Sequence, residues 1–203
     1  MSEKMKNGGY LELIIGPMFS GKTSELIEIY KKCIFCNISV SIINHTSDKR
    51  YHDIMLSSHD KVMVPCFQTC ELNEIWTNDN NYYNSNNLEH NRPHTILKNS
   101  DVILINEGQF FPDLYETVID MLKHNKKVYI CGLDGDFERK KFGSILDLIP
   151  LCDNVKKLKS LCSLCKDGTF GIFSMRLTEE KEQTVVGSSN YIPVCRICYE
   201  KHN

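Results

Sequence analysis

The chain has 203 residues, a length that suits one ordinary domain or one domain with a small appendage rather than two large domains. Lys and Arg total 24 against 26 Asp and Glu, so the formal net charge of -2 provides no field that would draw the protein to nucleic acid or to a membrane. The sequence has no run of the ~20 apolar residues that a membrane span requires, and its N-terminus lacks the apolar core of a secretory signal. We therefore expect a cytoplasmic protein with small-molecule partners and with neither a nucleic-acid nor a membrane partner.

Ten cysteines are present, which is a high number for a chain of this length. In the reducing compartment expected above, thiols stay free, so repeated C-x-x-C pairs are better candidates for metal binding than for disulfides. We therefore interpret the cysteines as metal ligands first.

Short apolar runs alternate with a helical pattern in the first two thirds of the chain. An apolar run, a glycine-punctuated loop and a helical stretch come first, and three further apolar runs follow. The runs are 11–15, 39–43, 102–105 and 127–130, and the helical stretch is 22–32. Runs that are apolar on both faces indicate parallel strands covered by helices.

A second helix is predicted between the last two apolar runs. Pro112 stands where the first turn of a helix accepts proline, and apolar residues follow at helical spacing: Leu114, Val118, Ile119 and Leu122. The resulting strand–helix–strand order predicts an α/β fold with a doubly wound sheet, in which the ligand site lies at the carboxyl ends of the strands.

Residues 77–94 are rich in asparagine and almost devoid of aliphatic side chains. Such a segment cannot bury enough apolar surface to offset its ordering entropy, so the composition predicts a disordered surface insertion. An insert that binds a partner is the weaker alternative.

A glycine-rich loop between the first strand and the first helix fits the pattern G-x-x-x-x-G-K-[ST], the P-loop of nucleotide-binding proteins. Its backbone N–H groups would face phosphate oxygens, its lysine would supply positive charge, and its threonine hydroxyl would bind Mg²⁺. The predicted phosphate-binding residues are Gly16, Pro17, Met18, Phe19, Ser20, Gly21, Lys22 and Thr23.

The apolar run at 102–105 ends in Asn106 and Glu107. Phosphoryl transfer needs a carboxylate that accepts a proton or positions the metal, and a strand tip beside the glycine loop is a suitable place for it. We expect this strand to lie next to the strand that precedes the loop, with Glu107 as the candidate base. In the alternative interpretation Glu107 only caps the following turn.

Two C-x-x-C pairs near the C-terminus form the predicted metal site, with Cys162 and Cys165 in one pair and Cys195 and Cys198 in the other. Four thiolates complete a tetrahedral Zn²⁺ site with no open position for water, so this zinc would be structural rather than catalytic. The long segment between the pairs would project as a loop or hairpin that is pinned at its base and acts as a lid.

A rival cysteine pair is Cys33 and Cys36, at the end of the first predicted helix. Its only mates are the more widely spaced Cys66 and Cys70, which makes it the weaker candidate for the metal site.

With these motifs the chain resembles the type II thymidine kinases, the zinc-containing group that includes the human cytosolic and poxvirus enzymes. The resemblance is nearly full length. It rests on both C-x-x-C pairs and on the segments GPMFSGKT (16–23), DKRY (48–51), SHD (58–60), EGQFFPD (107–113), LDGDFERKKFG (133–143) and LIPL (148–151).

This resemblance implies a P-loop α/β domain at 1–150 with a mostly parallel sheet and helices on both faces. It also implies a small, ribbon-like zinc domain at 151–203 that carries a substrate lid. The implied cofactors are ATP-Mg and a structural Zn²⁺. Thymidine and ATP are the expected substrates, with deoxyuridine as a second acceptor, thymidine triphosphate as a feedback inhibitor, and a homotetramer as the assembly.

The resemblance also implies roles for single residues. Glu107 falls on the family's general base, Arg50 on an arginine near the transferred phosphate, and Asp48 on the acidic residue that precedes that arginine in the phosphate site. Lys22 and Arg50 would stabilise charge during in-line transfer. The residues that match those around thymine and its sugar are Met18, Phe110, Leu133, Phe137, Phe142, Ser174, Val185, Val186 and Tyr191.

Two positions depart from the family pattern. Asn106 stands where the family has aspartate, so together with Thr23 it would hold Mg²⁺ without a formal negative charge, which predicts weaker metal affinity and a slower enzyme. Ser174 stands where the family has threonine, and loss of one methyl group predicts a small effect.

Two other functions are compatible with parts of the sequence. One is a noncatalytic nucleotide-binding regulator, with Asn106 marking lost chemistry. The other is a zinc-ribbon nucleic-acid module, because Lys156, Lys157 and Lys159 precede Cys162. A solvated lysine surface is the favoured interpretation of that cluster.

Overall fold

The structure is a computed structural model that describes residues 8–48, 55–57, 61–77, 93–183 and 190–202. The predictions made for Arg50, Val185 and Val186 therefore concern residues outside it, as does most of the asparagine-rich segment at 77–94.

The described residues form twelve strands and five α-helices. The strands are β1 (Tyr10–Ile15), β2 (Val40–His45), β3 (Met55–Ser57), β4 (Met63–Pro65), β5 (Phe67–Thr69), β6 (Val102–Asn106), β7 (Lys127–Gly132), β8 (Asn154–Lys157), β9 (Ser160–Leu161), β10 (Phe170–Gly171), β11 (Phe173–Arg176) and β12 (Tyr191–Val194). The helices are α1 (Lys22–Phe35), α2 (Asn73–Trp76), α3 (Pro93–Asn99), α4 (Leu114–Lys123) and α5 (Arg196–His202), and 3₁₀ helices cover Gly108–Phe110 and Ile145–Leu151.

Six strands form one parallel sheet in the order β5-β2-β6-β7-β1-β8, which confirms the predicted α/β class. The expectation that β6 lies next to β1 is wrong, because β7 lies between them and pairs with both. The short connection through α4 returns the chain from β6 to the adjacent position in the sheet, as is usual for such crossovers. The sheet also continues past residue 150, since β8 pairs with β1.

Successive side chains of each strand point to opposite faces of the sheet, so the apolar strands supply a hydrophobic core on each face. In β6, Ile103 and Ile105 join the core covered by α4, whereas Val102 and Leu104 join the core covered by α1. The helix α1 contributes Leu26, Ile27 and Cys33 to its core, and α4 contributes Leu114, Val118 and Met121. Helices therefore cover both faces of the sheet, as predicted.

The helix α4 begins at Leu114, two residues later than a proline at the first helical position would predict. Pro112 precedes the N-cap, Asp113, rather than occupying the first turn. The carboxylate of Asp113 accepts hydrogen bonds from the backbone N–H groups of Leu72 and Asn73 at the start of α2, at 3.0 and 2.7 Å. This residue therefore joins two helix starts. Ile119 is only partly buried, and Met121 fills the core instead.

The segment expected to be disordered at 77–94 has ordered ends in the structure. Thr77 is the C-cap of α2, and α3 starts at Pro93. Proline at a first helical position needs no N–H partner, which accounts for the start of α3.

A separate small core lies around the four C-terminal cysteines. Buried side chains of Met175, Val194 and Tyr199 pack with Cys162 and Cys195. Two antiparallel pairs, β9 with β10 and β11 with β12, frame this core. Among the described residues, no helix is long and apolar enough to span a membrane.

Candidate functional site

The glycine loop, residues 16–23, leaves the carboxyl end of β1 and runs into the first turn of α1. Gly16 has a φ of 151°, and a Cβ atom there would lie 2.5 Å from the carbonyl oxygen of Leu158. Gly21 is the N-cap of α1 with a φ of 84°. Both positions therefore require glycine, one for space and backbone conformation and the other for conformation alone.

Polar groups of the glycine loop are held by contacts within the loop and from β11. The ammonium of Lys22, which is buried, donates a hydrogen bond to the carbonyl oxygen of Pro17 at 2.6 Å, and the Ser20 hydroxyl donates to the same oxygen at 2.8 Å. The backbone N–H of Met18 donates to the hydroxyl of Ser174 at 2.9 Å. The structure thus brings Met18 and Ser174 together.

Asn106 lies at the tip of β6, is 1 % exposed, and connects the loop with β2. Its side-chain oxygen accepts hydrogen bonds from the hydroxyl of Thr23 at 3.4 Å and from the thiol of Cys131 at 2.9 Å. Its amide nitrogen donates to Asn44 at 2.7 Å and to the carboxylate of Asp48 at 3.4 Å. The predicted metal-site residues Thr23 and Asn106 are therefore adjacent, and the nearby carboxylate belongs to Asp48.

Glu107 follows Asn106 with a left-handed backbone, at φ 56° and ψ 43°. This conformation is uncommon for residues other than glycine and turns the chain sharply at the strand tip. The side-chain amide of Gln109 donates a hydrogen bond to the Glu107 carboxylate at 2.7 Å, and its oxygen accepts one from the N–H of Leu133 at 2.9 Å. One glutamine therefore positions two of the predicted site residues.

Aromatic rings border the same edge of the sheet. Phe110 and Phe142 form an edge-to-face pair with ring centroids 5.4 Å apart. The ring of His45 packs against Phe110 and Phe111 at centroid distances of 5.4 and 4.8 Å. Burial lowers the pKa of His45, with a backbone hydrogen bond to Cys70 and the charge of Glu107 acting in the opposite direction.

A second aromatic group forms around Arg176, a residue with no predicted role. Its guanidinium carbon lies 3.6 Å from the ring centroid of Phe137 and 5.2 Å from that of Tyr191. The structure thus brings together two residues that were assigned separately to the nucleoside site.

The predicted metal ligands converge. The sulfur atoms of Cys162, Cys165, Cys195 and Cys198 all lie within 4.8 Å of one another, with Cys165 at 3.4 Å from Cys198 and 3.8 Å from Cys195. Tetrahedral Zn–S bonds of about 2.3 Å separate sulfur atoms by roughly 3.8 Å, so this set fits a zinc ion. The backbone N–H of Cys195 donates to the Cys162 sulfur at 3.3 Å, which stabilises a thiolate.

The rival cysteines have other surroundings. Cys33 packs in the core under α1, whereas Cys36 is exposed at the C-cap of that helix. The thiol of Cys66 accepts a hydrogen bond from the Gln68 amide at 3.6 Å. Within the described residues, convergence of potential ligand atoms is found at the C-terminal set.

The lysines near the cysteine cluster are mostly paired. Lys156 contacts Glu25 at 2.5 Å and Lys157 contacts Asp134 at 2.8 Å. Lys159 lies over the ring of Phe170, at 5.0 Å. The carboxylates reduce the positive charge that this cluster could offer to phosphates.

The sequence interpretation missed Asn44, Gln109 and Arg176. A signal for Asn44 was present, because it is a polar residue near the end of an apolar strand, as Asn106 is. Parallel strands end at one edge of a sheet, so these two side chains could have been expected to meet.

The comparisons with known proteins agree over nearly the whole chain. The family model described as thymidine kinase matches residues 9–199. The thymidine kinase of Yaba monkey tumor virus is 38% identical over 198 residues, which cover 96% of this chain and 97% of that protein. Thymidine kinase 1 of Dictyostelium discoideum is 36% identical over 196 residues, covering 94% and 78%. The thymidine kinase of vaccinia virus (strain Western Reserve) is 38% identical over 195 residues, covering 95% and 98%.

Proposed function

Because the chain belongs to the thymidine kinase family, we propose that it transfers the γ-phosphoryl group of ATP to the 5′-hydroxyl of thymidine, with deoxyuridine as a second acceptor. The observation that carries the proposal is the meeting of three features at one edge of the sheet: a glycine loop, a carboxylate at a strand tip, and paired aromatic rings.

The glycine loop is the proposed ATP site. Its curled backbone and the start of α1 offer N–H groups to phosphate oxygens, and Lys22 would exchange its contact with Pro17 for the nucleotide phosphates. Thr23, Asn106 and Asp48 would hold Mg²⁺, which supplies charge neutralisation at the phosphates when bound. Because Asn106 is uncharged, the Asp48 carboxylate, which accepts a hydrogen bond from the Asn106 amide at 3.4 Å, would supply negative charge to this proposed site.

Glu107 is the proposed general base. The hydrogen bond from Gln109 holds the Glu107 carboxylate in a defined orientation, from which it would accept the proton of the 5′-hydroxyl. Phosphoryl transfer depends mainly on positioning and charge, so a carboxylate with a fixed orientation suits it. Arg50, outside the described residues, stays the proposed cation near the transferred phosphate.

The aromatic groups are the proposed thymidine site. Phe110, Phe137, Phe142 and Tyr191 offer the rings that a planar base requires, and Met18 and Leu133 extend this wall from the glycine loop and the end of β7. Val185 and Val186, also outside the described residues, stay proposed contacts of the base.

We further propose that the cysteine cluster binds a structural Zn²⁺, because four sulfur atoms leave no coordination position for water. The zinc domain is proposed at 151–203; within this range β8 pairs with β1 of the parallel sheet, and the residues after β8 carry the four cysteines. We propose a cytoplasmic location, because a reducing compartment would keep these thiols available to the metal. Assembly as a homotetramer and inhibition by thymidine triphosphate are proposed from family membership.

The test is an ATP-consumption assay with purified protein, Mg²⁺ and each of the four common deoxynucleosides, with Glu107→Gln as the control. We expect turnover that depends on thymidine, is weaker with deoxyuridine, and is lost in the control. Nucleotide binding without turnover on any nucleoside would overturn the proposal and favour a regulatory nucleotide-binding protein.

A further inference from the structure

We propose that Arg176 is a positioning residue that holds residues 180–183 together with the rings of Phe137 and Tyr191 as one wall of the thymidine pocket. This inference rests on the proposed function for the identity of the ligand. The hydrogen bonds that carry it are independent of that function.

The guanidinium of Arg176 makes five described hydrogen bonds. Nη1 donates to the carbonyl oxygens of Glu180 and Glu182 at 2.8 and 2.6 Å. Nη2 donates to the carbonyl oxygen of Gln183 at 3.0 Å and to the Tyr191 hydroxyl at 2.6 Å, and Nε donates to the same hydroxyl at 3.2 Å. A planar fork of five N–H donors is specific to arginine, so lysine cannot reproduce this set.

The charge of Arg176 is buried, since the residue is only 9 % exposed. A buried cation is costly unless its donors are satisfied, and here carbonyl oxygens and two aromatic faces provide the compensation. The stacked ring of Phe137, 3.6 Å from the guanidinium carbon, is fixed by the same group that holds the backbone of residues 180–183. The wall is therefore organised around one side chain.

The position of Arg176 at the end of a strand explains how its guanidinium contacts both residues 180–183 and Tyr191. It is the last residue of β11 and pairs directly with Tyr191, the first residue of β12. The segment that connects β11 with β12 begins and ends at this pair. There the N–H of Leu177 also donates a hydrogen bond to the carbonyl oxygen of Asn190 at 2.8 Å. The guanidinium therefore lies where the segment between the two strands begins and ends.

A second hydrogen bond joins the same residues to the turn that follows β7. The side-chain amide of Gln183 donates to the carboxylate of Asp136 at 2.8 Å. The other oxygen of Asp136 accepts from the backbone N–H groups of Glu138 and Lys140, at 3.0 and 2.9 Å, and so fixes the turn after Phe137. Both tethers converge on the turn that carries Phe137.

The described hydrogen bonds of Arg176 go to residues 180–183 and to Tyr191, not to the cysteine cluster. Loss of the guanidinium should therefore loosen the wall of the pocket without unfolding the small core of Met175, Val194 and Tyr199. Loosening of the pocket wall with an intact small core would distinguish a positioning role of Arg176 from a general structural role.

The experiment compares the full chain with Arg176→Lys, Arg176→Gln and, as matched control, Arg139→Gln. The guanidinium of Arg139 also lies over aromatic rings, at 4.3 Å from Tyr199 and 5.4 Å from Phe173, but Arg139 is exposed and these rings belong to the small core. The readouts are KM for thymidine, KM for ATP, and hydrogen exchange of the peptides that cover 177–183 and 190–202.

We expect both Arg176 variants to raise KM for thymidine about tenfold or more, because several charge-assisted hydrogen bonds are lost. KM for ATP should stay within about twofold, which is less than the loss of one ordinary hydrogen bond. Exchange should rise in 177–183 and not in 190–202, and Arg139→Gln should change none of these readouts.

An unchanged KM for thymidine, or equal increases for both substrates, would overturn the inference. Faster exchange throughout 190–202 would show a purely structural role. If the unmodified chain does not turn over thymidine, the proposed function fails, and unchanged exchange at 177–183 in the Arg176 variants would then reject the positioning role separately.

Discussion

The hydroxyl of Ser174 on β11 accepts a hydrogen bond from the backbone N–H of Met18 in the glycine loop, at 2.9 Å. Ser174 is 5 % exposed, so the contact is shielded from water. It connects the part of the chain that carries the cysteine cluster with the proposed ATP site.

Removing this hydroxyl should weaken the use of ATP. For Ser174→Ala we expect KM for ATP to rise about 2- to 10-fold, because one ordinary hydrogen bond that shapes the loop is lost. Ser174→Thr keeps the hydroxyl and serves as the control. Steady-state kinetics with ATP varied at saturating thymidine measure the effect, and identical values for the two variants would contradict this role.

Gln109→Ala should lower kcat more than it raises KM for thymidine. Gln109 orients the Glu107 carboxylate and also binds the N–H of Leu133, so its loss frees the proposed base to turn away from the acceptor hydroxyl. Misplacement of a catalytic group on this scale costs roughly 10- to 100-fold in rate. A normal kcat in this variant would show that Glu107 needs no such support.

Asn106→Asp should tighten Mg²⁺ binding and destabilise the metal-free protein. A carboxylate at this position would stand beside Asp48, whose oxygen now accepts from the Asn106 amide at 3.4 Å, and the hydrogen bond to Asn44 would lose its donor. We expect the free energy of unfolding in EDTA to fall by ~1–3 kcal/mol and the Mg²⁺ concentration for half-maximal rate to decrease. An unchanged Mg²⁺ dependence would exclude position 106 from the metal site.

Removal of zinc should unfold the small core before the parallel sheet. Cys165→Ser breaks the proposed tetrahedral set, and we expect metal content to fall from one zinc per chain and the small core to lose several kcal/mol of stability. Cys36→Ser is the matched control, since Cys36 is exposed and lies outside the cluster. Metal analysis and thermal unfolding give the result, and equal zinc content in both variants would contradict the assignment.

Acid should destabilise the fold through His45. Burial lowers the pKa of His45 below its ordinary value of 6.5, and its Nδ1 accepts a hydrogen bond from the N–H of Ser47 at 3.1 Å, which a protonated ring cannot do. Below pH 6.5 the unfolded chain therefore binds a proton that the folded chain does not, so stability is complete above this pH and is lost as the pH falls. His45→Gln should show a shallower decrease in free energy of unfolding between pH 7 and 5.5. Parallel curves for the two proteins would exclude His45.

Four strands could be predicted, because a strand that is buried on both faces of the sheet is a continuous apolar run in the sequence; these are β1, β2, β6 and β7. The glycine loop could be predicted because its backbone conformation requires glycines at a fixed spacing. The order of the strands could not be predicted, since it depends on contacts between residues far apart in the chain. The strand β8 was missed because an edge strand with exposed lysines lacks the apolar run of a central strand.

The residues of the candidate site also divide into those that the sequence predicts and those that it does not. Cysteine spacing predicts the metal ligands, because both members of each pair lie within one turn. Gln109 and Arg176 act through hydrogen bonds to backbone groups and to other side chains, and such partners have no signature in the sequence. Asn106 was identified as a departure, whereas its neutral partner Asn44 was missed although its place near the end of an apolar strand was a signal for it.

Glu107 holds a left-handed backbone, a conformation that costs a residue with a side chain roughly 1–2 kcal/mol relative to glycine. Glycine at 107 would therefore relieve strain at the strand tip and simultaneously delete the proposed base. Directed evolution of this chain for heat resistance alone would therefore favour glycine at position 107 and give a stable but inactive protein. Selection for stability has to include selection for turnover.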